Sequence, residues 1–199
     1  MKTTLSPSLP AALLLALLAA CASKPPEPAK YAVHGFSIAI PESKEERYRW
    51  GLVQQVPERV MLARRGDFTG ENLSIVMVSS RVPNQSQDAL QRHVRDSERQ
   101  GLDARRYRVQ SQDITPYEAA GLQCVLSRLE VEDRGAAGST GPVASLVNES
   151  LTVTCPDPAH PGQAVSVSYV HQSYPEDKGR NFTETGMPIL KSLEYAGRH

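Results

Sequence analysis

The stretch Leu122–Cys155, LQCVLSRLEVEDRGAAGSTGPVASLVNESLTVTC, decides the fold. Leu122, Cys124 and Leu126 recur at every second residue, as do Leu151, Val153 and Cys155. That is the strand period, so both cysteines lie on apolar strand faces. Paired residues of an antiparallel hairpin have a constant index sum, and for Cys124 opposite Cys155 the sum is 279. The centre then falls between Ser139 and Thr140, inside the turn-rich run from Gly135 to Gly141. Strand, glycine-rich loop and strand are mutually consistent, and they place the two thiols face to face for a disulfide. Two buried reduced thiols are the alternative that the residues leave open.

Working outward, alternation and turn signals set the neighbouring elements. Tyr107, Val109 and Ser111 lead a strand towards Ile114, before the hairpin. After it, Pro156 to Gly162 is a compact turn, and Val165, Val167, Tyr169 and His171 alternate along a further strand. Upstream, Ser86 is an N-cap with Asp88 in the first turn of a helix that Gly101 ends. Ala89, Leu90, His93, Val94 and Ser97 form its inward face. Arg59 to Arg64 and Leu73 to Ser80 form a hairpin around Arg65-Gly66-Asp67, and the second of these strands is apolar on both faces, which predicts a central position. Val33, Phe36, Ile38 and Ile40, closed by Pro41, form a first strand. Phe182 to Leu193 is a terminal helix with Pro188 expected in its first turns.

Runs of adjacent strands flanked by helices predict an α+β domain: one mainly antiparallel β-sheet with two flanking helices. Element order resembles the Mog1/PsbP-like superfamily, on Gly35 to Pro41 early, the helix after the third strand, and a close on Leu190-Lys191-Ser192-Leu193. That resemblance implies a binding or assembly module without a family catalytic residue to carry over.

The N-terminus addresses localisation. Lys2 precedes the apolar run Pro10 to Ala20, which ends in Leu18-Ala19-Ala20-Cys21. This resembles the lipobox of bacterial lipoproteins. It implies cleavage before Cys21, acylation of that cysteine, and membrane attachment through its lipid. The run is too short for a span, which needs ~20 apolar residues. Ala22 rather than Asp after the cysteine implies the periplasmic face of the outer membrane. Residues 1–20 are therefore the expected signal peptide and 21–30 a Pro-rich tether reaching roughly 30 Å at ~3.1 Å per residue. Residues 31–199 are expected to be a single domain. An exported chain with two cysteines beyond the lipidated one favours their pairing.

Lys+Arg and Asp+Glu both number 22 in the chain. So even a charge gives no electrostatic case for nucleic acid. His34, His93, His160, His171 and His199 show no HxH or HExxH spacing, so no metal site is written locally and no cofactor is called for. His171 on the apolar register could meet His93 in space, although a single satisfying hydrogen bond is the commoner fate of such a residue. Ser139 lacks the surroundings of a nucleophile elbow, and the Gly-rich loop lacks the lysine of a phosphate-binding loop. Arg65-Gly66-Asp67 is ordinary turn chemistry. Arg92, Arg95 and Arg99 share a helix face diluted by Asp88, Asp96 and Glu98.

No nucleophile–base pair is legible, so the expectation is a non-catalytic module binding an envelope protein partner through a sheet face or open edge. Trp50, in the polar run Arg47 to Gly51, is the expected contact residue. The alternative is a small-ligand carrier with a pocket between sheet and helix lined by Tyr169, His171 and Tyr107. A hydrolase ranks third and would need a Ser or Cys within reach of a histidine.

Overall fold

A computed structural model describes residues 28–41, 49–66, 71–82, 84–136 and 144–197. The expected signal peptide, Cys21, most of the tether and Asp67 lie outside the described residues. The strands are β1 (Ala29–Val33), β2 (Phe36–Ile40), β3 (Gly51–Val56), β4 (Arg59–Arg65), β5 (Asn72–Arg81), β6 (Tyr107–Ala119), β7 (Leu122–Ala136), β8 (Ala144–Pro156), β9 (Gln163–Ser173) and β10 (Glu194–Tyr195). Among the described residues the helices are α1 (Gln87–Gln100) and α2 (Phe182–Lys191), with one 3₁₀ turn at Pro175–Asp177.

Two antiparallel sheets are present, not one. The larger has seven strands in the order β3-β4-β5-β9-β8-β7-β6, and the smaller has three, β1-β2-β10. The expected single first strand is a hairpin, because His34 (φ 51°) and Gly35 (φ 81°) both adopt left-handed backbone. That two-residue turn suits the strand twist and folds Ala29–Val33 back on Phe36–Ile40. The C-terminal Glu194 and Tyr195 then add to β2 rather than to the large sheet.

The disulfide hairpin is as read. Val125 pairs with Thr154, and every pair to Asp133–Leu146 keeps the index sum of 279. Cys124 and Cys155 are disulfide-bonded with Cα atoms 4.3 Å apart, the spacing of a non-hydrogen-bonded antiparallel pair. The strands β6 to β9 form the expected meander.

One face of the large sheet carries Leu62, Ile75, Met77, Val153, Val167 and Tyr169 against Phe36, Ile38, Phe182, Ile189 and Leu190 from the small sheet and α2. The opposite face is covered by α1, which packs on β7, β6 and β8. Ser86 caps α1, its Oγ accepting from the Ala89 amide (3.4 Å), and Leu90 and Val94 are the residues that α1 buries. Because α1 lies towards β6–β8, the outer set of β5, Ser74, Val76 and Val78, is only half buried. A strand apolar on both faces is thus fully buried on only one of them. Pro188 is the seventh residue of the ten-residue α2, not in its first turns. It forgoes one backbone bond, and the helix continues because Ile189 and Leu190 are fully buried in the core.

Candidate functional site

The two ends of the large sheet differ in what they present. At one end β3 pairs, among the described residues, only with β4, and all six of its residues are exposed. Leu52, Val53 and Val56 are exposed by 49%, 59% and 42%. The ladder shifts between Leu52 and Gln54, so Val53 is a bulge residue turned out of register towards solvent. Pro57 and Glu58 make the two-residue connection to β4.

Trp50 enters this edge and is half buried. Its ring meets Tyr169 edge-on at 6.5 Å (70°), and the Arg64 guanidinium lies 5.2 Å from its centroid. Tyr169 stacks on Phe182 at 5.7 Å, and Phe182 stacks on His171 at 6.1 Å. Each such pair contributes about 0.5–1.5 kcal/mol beyond area burial. The indole is thus an anchor on the core with one side turned towards the edge. Gly186 lets α2 lie on this stack, because a Cβ there would sit 2.5 Å from Tyr169 Cδ1. Burial pushes the Tyr169 phenol up to about 12.

Beneath the stack lies a buried ionic cluster. His171 Nε2 is 2.6 Å from Glu71 Oε1, and its Nδ1 is 3.4 Å from Glu149 Oε2. Glu149 Oε2 also accepts the Gly179 amide at 2.7 Å. All three side chains are buried. Burial opposes the charged imidazole, yet the bonds to Glu149 and Glu71 outweigh it and raise the His171 pKa. For Glu149 burial favours the neutral acid, and the His171 and Gly179 hydrogen bonds overcome it, lowering the pKa. An imidazolium donating both N–H groups between two carboxylates satisfies these directions. Its role is to fix β5, β8 and β9 together, since removing one member would leave buried charge uncompensated.

Several expected partnerships are not made. His93 lies on α1, across the sheet from His171. Tyr107 is on the edge strand β6, separated from Tyr169 and His171 on β9 by β7 and β8. These three residues therefore line no common pocket. Among the described residues, shallow concavities include one of about 500 Å³ around Arg99, Leu102 and Tyr107 and one of about 450 Å³ over Met61, Asn72 and Val170. Arg99, from the helix face noted above, bonds Gln112 (2.8 Å), and Arg106 makes a bidentate pair with the buried Asp133 (2.8 and 2.7 Å).

A serine–histidine contact does occur: Ser80 Oγ and His93 Nε2 are 3.0 Å apart. Burial lowers the His93 pKa, opposed by Asp96. An acyl-transfer site also needs free donors for an oxyanion. Nearby amides are committed, Ser79 N to Glu58 O (2.9 Å) and Val82 N to Gly162 O (2.8 Å). The contact ties α1 to β5.

Glu71 and Glu149 escaped the sequence reading. Glu149 sits on the apolar register of Leu151 and Val153, one strand from His171, whose register partner it is. Two titratable residues on apolar registers of adjacent strands were the available signal. Comparison with known protein families and with curated protein sequences finds no match. Among the described residues, no helix is long and apolar enough to cross a membrane.

Proposed function

We propose that this chain is a lipid-anchored lipoprotein of the outer membrane's periplasmic face. On this reading it is a non-catalytic module that binds an envelope protein partner through β3 and Trp50. The observation that carries the reading is the open β3 edge with Leu52, Val53 and Val56 in solvent. A strand with one open edge offers main-chain donors and acceptors to an incoming strand, while its side chains give selectivity. Natural sheets blunt such edges unless they are used. Apolar groups gain ~25 cal/mol per Å² when covered, so three exposed side chains offer a partner a substantial driving force. The lipobox at Cys21 supports the anchor, and the Mog1/PsbP-like element order agrees with a binding module rather than an enzyme.

The test is co-purification from crosslinked native envelopes of the unaltered chain and of a Leu52→Asp, Val53→Asp double variant. One defined envelope protein should be recovered with the unaltered chain and lost with the variant. Equal recovery from both would refute the edge as the contact. Intact mass of the processed chain should show acyl addition that Cys21→Ser abolishes.

A further inference from the structure

We propose that His34, Asp157 and His160 form a binding site for one divalent transition-metal ion, zinc by their donor chemistry. The three residues come from two places that the fold presses together. The left-handed turn at His34 and Gly35 forms the tip of the β1–β2 hairpin. Asp157 and His160 belong to the connection between β8 and β9. One ligand atom of each residue lies within 4.8 Å of the others.

Asp157 is fully buried and rigidly held. Its amide donates to Gln163 O (2.9 Å), and its Oδ1 accepts from the Ala159 amide (3.0 Å). That leaves Oδ2 facing both rings, 2.8 Å from His160 Nδ1 and 3.3 Å from His34 Nδ1. The ring centroids of the two histidines are 4.9 Å apart and the ring planes are tilted by 49°. Tetrahedral zinc with bonds of ~2.0–2.1 Å sets its ligand atoms roughly 3.3 Å apart. The His34–Asp157 separation of 3.3 Å matches that value, and the 2.8 Å separation of His160 from Asp157 would open by about 0.5 Å on binding.

A second observation points the same way. His34 Nδ1 is buried and makes no hydrogen bond among the described residues, despite its closeness to Oδ2. A buried polar atom left in this state calls for an explanation. A lone pair aimed at a shared cation supplies one, and the cation would also compensate the carboxylate that Asp157 buries.

Two imidazoles and one carboxylate suit a borderline ion such as zinc, whereas calcium and magnesium select all-oxygen shells. The His160 side chain is 42% exposed, which gives an entry path and leaves the fourth position to water. A bound ion would clamp the tip of the N-terminal hairpin to the connection between β8 and β9, at the end of β1 away from the tether.

The experiment is calorimetric titration of the untagged full chain, stripped with chelator, with zinc sulfate alone. One zinc per chain is expected. His34→Ala and His160→Ala should each weaken binding by at least the ~10–100-fold that loss of even an outer partner costs. His93→Ala should bind as the unaltered chain does. Cobalt should give a tetrahedral d–d absorption band that both site variants lose. Absence of saturable binding overturns the proposal, and so does binding that survives in both site variants. His160 lies in an exposed turn, so its variant stays readable if His34→Ala perturbs the hairpin.

Discussion

The two edges of the large sheet, β3 and β6, solve the same problem in opposite ways. Strand β6 carries Pro116, a register shift between Val109 and Ser111, and exposed Arg108, Asp113 and Glu118. Proline, bulge and charge each deter a foreign strand. Strand β3 also has a bulge, but it carries no charged residue and turns Val53 outward. The halves behind the edges differ too. The β6 side is held by the Cys124–Cys155 bond and by α1, the β3 side by the Glu71–His171–Glu149 cluster and the aromatic stack. A closed, covalently stapled half therefore supports an open half whose rigidity comes from buried charge.

Breaking the β3 side should have the largest effect. His171→Ala removes the imidazole held between two buried carboxylates and should cost about 3–5 kcal/mol. In denaturant unfolding the midpoint falls, and amide exchange should accelerate in β4, β5 and β9 before β6. Removing the staple by Cys124→Ala with Cys155→Ala frees a 31-residue separation and should cost about 3–4 kcal/mol. Here the faster exchange should appear first in β7 and β8, which sharpens the contrast.

Gly186→Ala should cost about 1–2 kcal/mol by thermal unfolding. Overpacking against Tyr169 at 2.5 Å outweighs the gain of roughly 0.5–1 kcal/mol from a better helix former.

The pH profile follows from the cluster. The His171 pKa is raised, so its contribution is fully present below its ordinary 6.5 and disappears as pH rises through the folded value. Glu149 is lowered, so its contribution is present above its ordinary 4.5 and disappears as pH falls through the folded value. Unfolding midpoints measured across pH should show a plateau between these limits, and His171→Gln should remove the alkaline decline. The smallest effect belongs to Ser80→Ala, under about 1.5 kcal/mol for one neutral hydrogen bond, with partner recovery unchanged. Loss of partner recovery in a stable Ser80→Ala protein would instead revive the hydrolase reading.

What could be read from the chain was what repeats locally. Cysteine registers, the cap at Ser86 and the alternation of β9 all act over a few residues, and they located the hairpin, α1 and the meander. Strand β1 was hidden because Ala29 and Lys30 continue the tether's polar composition. Strand β3 was hidden because all six of its residues face solvent and no alternation is imposed on it. The ion cluster joins His171 to Glu71 across 100 residues, and the site at Asp157 joins a turn to a hairpin tip. Neither pairing leaves a periodic trace. Trp50 was singled out by chemistry alone, and the fold places it at the mouth of the open edge.

The most direct measurement compares the edges in the living envelope. A photo-crosslinking amino acid at Val53 should yield one heterologous adduct with a defined envelope protein, while the same probe at Gln110 on β6 should yield none. Equal adducts at both positions, an adduct between two copies of the chain, or none at Val53 would contradict the account.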